Sequence, residues 1–278
     1  MECLEFLLIL ILVIYIGLMI KKKFHKEGFN SNMNHYKDAY IYDEIYDDFY
    51  CFLYDDLFYN EIYYKVLCNH LLNYINHVYN NHLCVGIKHG GHLNQLLKKN
   101  MKTTSVSRSK ACIRMCKYNY KDNIYKHKQD VLENPFCFDE HEFTHISLID
   151  NELYYIENLE AFFYNISKWI ILKGYVIIPF YHSKESLKKG FFKYPENSHF
   201  RLHKDYSYTF NDTGTNENME TITCVEVLKD KQHQRKNIHT LFFYQKEYIQ
   251  SLAKSYQLVH IDTIGCTPHE SVFIFQKL

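Results

Sequence analysis

The sequence predicts an α/β fold, a mostly parallel sheet covered by helices, with a small antiparallel insertion near the end. Three observations carry this. Residues Phe143 to Phe180 read as strand, loop, helix, turn and strand. The stretch before them repeats short apolar strands and helices. The stretch after them alternates apolar and polar residues like antiparallel strands.

The central unit is the clearest. Phe143 to Ile149 is a short apolar strand. Asn158 to Ile171 carries Leu159, Phe162, Phe163, Ile166, Trp169 and Ile170 at helical spacing. Lys173-Gly174 closes this helix, since glycine takes the left-handed conformation past a helix end at little cost. Tyr175 to Pro179 is the second strand. Strand, crossover helix and strand make a βαβ unit, which implies a parallel sheet.

Upstream, Glu44 to Asn76 is amphipathic and helical, with apolar faces marked by Leu57, Ile62, Val66 and Leu71. Leu83 to Gly86 is a strand and Leu93 to Lys99 a helix. Thr103 to Val106 is a strand and Ser109 to Tyr118 a helix, with Ser109 as its N-cap. Ile124 to Lys128 is a further strand. Downstream, Tyr206 to Phe210, Thr221 to Leu228 and Thr240 to Tyr244 are antiparallel strands, and Asp212 to Asn218 is a turn-rich loop. Gln245 to Tyr256 is a helix, and Leu258 to Ile264 and Ser271 to Gln276 are the final strands.

The N-terminus differs in kind. Phe6 to Ile20 is fifteen residues whose one polar side-chain group is the Tyr15 hydroxyl. As a helix it spans roughly 22–26 Å, slightly short of the ~30 Å hydrocarbon core. Snorkelling of Lys21 to Lys23 and local thinning close that gap. Glu2 and Glu5 and the lack of an A-x-A site argue against a cleaved signal peptide; a buried core helix is the other alternative. Lys21, Lys22, Lys23 and Lys26 follow the run and no Lys or Arg precedes it, so the rest of the chain is expected in the cytosol. The sequons at Asn165 and Asn211 would then go unused. Residues 1–23 are thus expected as a transmembrane anchor with its basic flank, 24–43 as a linker, and 44–278 as one domain with an insertion at about 200–244.

Composition sets further bounds. The 278 residues include 32 Lys+Arg and 32 Asp+Glu, so no global charge argues for nucleic acid. The basic stretches Lys121 to Lys128 and Lys229 to Lys236 are solvated loops, or docking sites if the partner is acidic. Nine scattered cysteines with no CxxC argue against zinc and for free thiols in a reducing compartment. His89 and His92 lack a third ligand at metal spacing, so Lys88-His89-Gly90-Gly91-His92 reads as a surface loop. No G-x-S-x-G, Walker loop or HExxH is present.

The run FTHIS…YYI…FF.N..KW…GY resembles the middle of class I S-adenosylmethionine (SAM) dependent methyltransferases, and within them the membrane-anchored methyltransferase-like proteins of large DNA viruses. The ending His239-Thr240-Leu241-Phe242-Phe243-Tyr244 followed by Glu247 is similar to theirs as well. The resemblance covers roughly residues 45 to 278. It implies a Rossmann-like methyltransferase fold: a seven-stranded, mostly parallel sheet whose last strand is antiparallel.

The resemblance also implies a SAM site at the strand ends. Its pattern is hydrophobic-Asp-hydrophobic-Gly-x-Gly-x-Gly, where glycines let the backbone approach the cofactor. Gly86 and Gly90 match the first and third glycines. Cys84 stands in place of the acid and Lys88 in place of the middle glycine, a long cation aimed toward a sulfonium. Ser107 stands where a carboxylate would bridge the ribose hydroxyls. Asp130 fits the acid near the adenine amine. Asp150 ends the fourth strand, where the transferred methyl would lie, and is the candidate to orient or deprotonate a nucleophile. The Asn/Asp-Pro-Pro-aromatic run of amino-group methylating relatives is replaced by Asp150-Asn151-Glu152-Leu153.

Two functions follow. One is a membrane-anchored SAM-dependent methyltransferase with an unknown substrate. The other is a methyltransferase fold that has lost catalysis and serves as a membrane-bound structural or scaffolding protein of a virus. A nicotinamide-dependent oxidoreductase fits less well, because the glycine spacing also departs from that fingerprint. If Lys88 fills the pocket, or pairs with Asp130 or Asp150, it mimics a bound cation and the second function is favoured.

Overall fold

Asn158 starts the central helix by accepting the Ala161 N–H on its side chain, and the helix runs Leu159–Trp169. The computed structural model describes residues 39–58, 61–74, 80–88, 90–97, 101–121, 124–127, 134–191, 206–229 and 234–278, together with Leu12 and Tyr15. Its helices are α1 (Asp48–Phe58), α2 (Glu61–Asn73), α3 (Gly91–Leu97), α4 (Lys110–Asn119), α5 (Leu159–Trp169), α6 (Lys184–Gly190) and α7 (Lys246–Ser255). Its strands are β1 (Tyr40–Ile41), β2 (Asn81–Val85), β3 (Lys102–Ser107), β4 (Ile124–His127), β5 (Phe143–Leu148), β6 (Ile170–Tyr181), β7 (Tyr206–Thr215), β8 (Met219–Lys229), β9 (Gln234–Tyr244), β10 (Leu258–Gly265) and β11 (Glu270–Lys277).

The main sheet has the order β10-β11-β6-β5-β2-β3-β4. Neighbours from β6 to β4 are parallel, and β11 runs antiparallel to both β6 and β10. The antiparallel last strand therefore lies where the sequence places it, beside β10. Both faces of the sheet are covered, and the pleat sorts its side chains. Cys84, Ile177, Val272 and Ile274 face α2 and α3 through Tyr64, Leu67 and Leu96. Leu83, Val85, Val176, Ile178, Phe273 and Phe275 face the other way, onto Phe162, Phe163 and Ile166 of α5.

A second sheet, β1-β9-β8-β7, packs beside this frame. Its buried row on β8 is Ile222, Cys224, Glu226 and Leu228; β9 adds Arg235, Asn237, His239 and Leu241. Much of this inner row is polar, which is the unusual feature of the insertion.

Several expectations change. The stretch expected as one helix from Glu44 to Asn76 is a 3-10 turn (Tyr42–Tyr46) followed by α1 and α2, with residues 59–60 outside the described set. The linker expected up to residue 43 is already structured at β1, which pairs with Asn237 and Ile238 of β9. The helix expected to reach Ile171 ends at Trp169, because Ile170 pairs with Phe143 and starts β6. Lys173, not Gly174, takes the positive φ, at 62°. Gly174 is small because a Cβ there would lie 2.7 Å from Ile170 Cγ1 and 2.9 Å from the Ile171 carbonyl oxygen. The loop expected over Asp212 to Asn218 is shorter: β7 continues to Thr215 through a bulge between Asp212 and Gly214. The turn itself is Asn216 to Asn218, closed by the Asn216 side chain accepting from Asn218 and Met219 N–H groups.

Among the described residues no helix is long and apolar enough to cross a membrane. The Phe6 to Ile20 run lies outside them apart from Leu12 and Tyr15, both helical and exposed.

Candidate functional site

Strand order reverses between β2 and β5, and in open α/β sheets the crevice outside the carboxyl ends at such a point is where ligands bind. Here that crevice begins after Val85, Ser107 and Leu148. Gly86 turns out of β2 with φ at 88°. Gly86 and Ile87 N–H groups both donate to the Val106 carbonyl, so the turn stays tied to β3. Across it, Asp150 and Asn151 take φ values of 52° and 64° and lead into a 3-10 turn, Glu152–Tyr155. That turn drops Glu152 onto Gly86. A Cβ on Gly86 would lie 2.5 Å from Glu152 Cβ and 2.7 Å from its Oε2. The backbone approach that the glycine permits is taken by Glu152.

Lys88 completes the arrangement. Its Nζ donates to Glu152 Oε2 at 3.1 Å, with both side chains more than nine-tenths buried. The ammonium also lies 4.3 Å from the Tyr46 ring centroid and 4.6 Å from that of Tyr155. Two aromatic faces and one carboxylate form a cation cage. Burial alone would lower the Lys88 pKa; the charge of Glu152, the Tyr155 hydroxyl and the hydrogen bond to Glu152 outweigh it and hold the pKa above the ordinary lysine value. The lysine therefore stays charged. The loop expected at the surface is thus largely buried: Lys88, Gly90, Gly91 and His92 are all inside, while His89 lies outside the described residues.

Tyr155 links the cage to the polar row of the second sheet. Its hydroxyl contacts Tyr46 Oη at 3.1 Å and His239 Nδ1 at 2.8 Å. His239 Nε2 lies 3.3 Å from Glu226 Oε2. The fully buried Glu226 also accepts from Tyr50, Tyr206 and Asn237. Burial pushes its pKa up, but the hydrogen bond and charge of His239, with Asn237 and Tyr206, pull it below the ordinary glutamate value. Burial raises the Tyr46 and Tyr155 phenols well above theirs.

A cavity of about 220 Å³ opens beside the cage, between Lys88, Ser107, Arg108 and Glu152 on one side and Asp43, Tyr46 and Phe242 on the other. Ordinary small-molecule sites are larger, roughly 300–1,000 Å³. Ser107 borders the cavity, but its hydroxyl accepts from the Ser109 N–H at 3.1 Å. Cys84 is fully buried, with Sγ 2.9 Å from His92 Nε2. Gly90, with φ at 82°, gives room to Cys116 and Tyr120. Asp150 accepts from the Tyr64 hydroxyl and does not border the cavity. Asp130 lies outside the described residues. Among the described carboxylates the partner of Lys88 is thus Glu152, not Asp150. Glu152, Tyr46 and Tyr155 were not singled out by the sequence, although Glu152 stands in the Asp150-Asn151-Glu152-Leu153 stretch that replaces the missing Pro-Pro motif. Among the described residues no group of three metal-ligating side chains is present.

SAM fits this set poorly. Its methionine end would meet Glu152 against Gly86 and the Lys88 ammonium in the cage, and its ribose would meet Ser107 instead of a carboxylate.

No family model matches the chain, and no curated relative matches it. Solved structures do. An S-adenosylmethionine-dependent methyltransferase from Clostridium acetobutylicum superposes with a TM-score of 0.60 at 14% identity, over 82% of this chain and 97% of that one. The CcbJ methyltransferase from Streptomyces caelestis gives 0.60 at 9% identity, over 87% and 99%. The PH0226 protein from Pyrococcus horikoshii gives 0.60 at 16% identity, over 77% and 89%. At such identities the likeness is one of fold, and the chain has a Rossmann-like, class I methyltransferase-like fold.

Proposed function

We propose that this chain is a non-catalytic methyltransferase fold that Phe6 to Ile20 holds at a membrane, acting as a viral structural or scaffolding protein with its domain on the cytosolic side. The observation that carries the loss of catalysis is the buried Lys88–Glu152 pair inside the Tyr46 and Tyr155 rings. A cage of two aromatic faces and a carboxylate suits a sulfonium, and here the chain supplies its own cation by a covalent tether. An ammonium built into the fold competes at no translational cost, so a free sulfonium must displace it from Glu152 and strand the buried Lys88. Replacing the ribose-binding carboxylate by Ser107 removes a further charged hydrogen bond, worth about 1.5–3 kcal/mol or roughly ten- to a hundredfold in affinity. The membrane and viral parts rest on the apolar run, its lysine flank and the family resemblance.

The cavity beside Ser107 and Arg108 favours a second reading, methyl transfer from SAM to an unknown substrate. Calorimetric titration of the full-length protein in detergent micelles separates the two. SAM and its demethylated product should give no saturable heat at high micromolar concentration. A dissociation constant in the low micromolar range or tighter would restore the enzyme.

A further inference from the structure

We propose that Cys51 and Cys112 form an oxidative modification site, a thiol pair that closes to a disulfide between α1 and α4. The two sulfurs lie 2.8 Å apart in hydrogen-bond contact, and the residues are 2% and 1% exposed. Each stands in the first turn of its helix, and the two helices pack on one another. The backbone around them is held in place. Ser109 Oγ accepts the Cys112 N–H and donates to the Tyr46 carbonyl; Cys51 donates its N–H to Asp47. Little movement is therefore needed to bring the sulfurs to bonding distance. Cys51 Sγ also lies 3.5 Å from the Tyr46 carbonyl, whereas three other buried thiols make contacts to nitrogen or oxygen: Cys84 to His92 Nε2, Cys68 to the His92 carbonyl and Cys116 to the Lys88 carbonyl.

The reaction needs a two-electron oxidant, for which hydrogen peroxide serves. One thiolate attacks a peroxide oxygen, the O–O bond breaks, and a sulfenic acid and water result. The second sulfur attacks the sulfenic sulfur, the S–O bond breaks, and a second water leaves. Two thiol protons and two electrons are thus transferred, and one peroxide becomes two waters. Burial and the neighbouring Cys112 push the Cys51 thiol well above its ordinary pKa, which makes closure slow at neutral pH and faster as pH rises.

The consequence is mechanical. The pair lies 61 residues apart in sequence, so the bond closes a long loop. It also fastens α1, which follows the cavity-lining Tyr42–Tyr46 turn, to the helix that follows β3.

The test uses the full-length protein in detergent, treated with hydrogen peroxide at pH 8, alkylated, and digested without reductant. A linked peptide joining Cys51 to Cys112 should appear, with a loss of two mass units from the intact chain. The melting temperature should rise by about 10 °C over the dithiothreitol-treated protein, from the loop length and domain size. The Cys51→Ser and Cys112→Ser proteins should each lose both effects. Recovery of both peptides separately alkylated after peroxide overturns the proposal, and so does preferential linkage of either cysteine to another. The mapping on the wild-type chain stands even if a serine variant does not fold.

Discussion

Removing the Lys88 ammonium leaves the Glu152 carboxylate buried between Gly86 and two phenol rings. Breaking a buried pair from one side costs about 3–5 kcal/mol, because the remaining charge has no partner. Lys88→Met should therefore lower the unfolding free energy by that amount in urea titration. Lys88→Met with Glu152→Gln should recover most of it, since no ion is then stranded. Lys88→Ala should in addition be rescued by trimethylsulfonium or tetramethylammonium at millimolar concentration, read as a rise in melting temperature that the wild type does not show. The pH dependence follows from the sign of the shift. A lysine whose folded pKa is raised contributes stability that is full below its unfolded value, about 10.4, and lost as pH rises through the folded one. The wild-type minus Lys88→Met difference should thus stay flat from neutral pH to about 9 and shrink only above about 10.4. Of this site, Lys88 was legible in the sequence because it breaks a glycine spacing. Glu152 lies 64 residues away, and nothing local marks it or Tyr46 as a partner; only the packing of the 3-10 turn onto Gly86 brings them together.

Arg235 does for the elements what Lys88 does for the site. It stands on β9, 3% exposed, and reaches the segment that carries the cavity's outer wall. Its guanidinium donates to Asp47 Oδ2 at 2.7 Å, to the Ile45 carbonyl at 2.8 Å and to Asn237 Oδ1 at 2.9 Å, and it lies 3.9 Å over the Tyr40 ring. Arg235→Ala strips the buried Ile45 carbonyl and Asn237 amide oxygen of a donor, and each unsatisfied buried group costs about 1–3 kcal/mol. A loss of about 3 kcal/mol is expected, together with faster hydrogen exchange over residues 40–58 and unchanged exchange in β5 and β6. Uniform acceleration across the main sheet would show that Arg235 supports the whole fold and not this clasp. The main sheet was legible because its strands are short apolar runs separated by amphipathic helices, and local pattern suffices for those. The clasp was not. Tyr40 to Asp43 reads as the end of a linker and Glu44 to Asp47 as the start of a helix, and the order of this segment comes from β9, nearly two hundred residues away. The α5–β6 junction was misplaced by the same kind of effect: Ile170 continues the helical spacing of α5, but pairing with Phe143 recruits it to the strand.

If Phe6 to Ile20 holds the chain at a membrane as proposed, its flanking charges decide which side the domain occupies. The run from Phe6 to Ile20 carries no charge, and four lysines follow it within six residues while none precedes it. Positive flanks stay on the cytosolic side, which would orient the proposed span with the residues beyond it in the cytosol. Residues 21–38, eighteen in all, precede the first described part of the domain, a reach of at most about 65 Å if extended. The domain would then stay near the bilayer without being pressed against it. The two sequons give an unequal test. Asn165 is 1% exposed within α5, so its lack of a glycan says nothing about topology. Asn211 is exposed on β7 and would be open to the glycosylation machinery if the domain were lumenal. The full-length protein made with microsomes should therefore stay in the pellet on carbonate extraction, carry no sugar at Asn211, and be degraded by protease added outside the vesicles. Release by carbonate would remove the anchor, and an Asn211 glycan with protease protection would reverse the orientation.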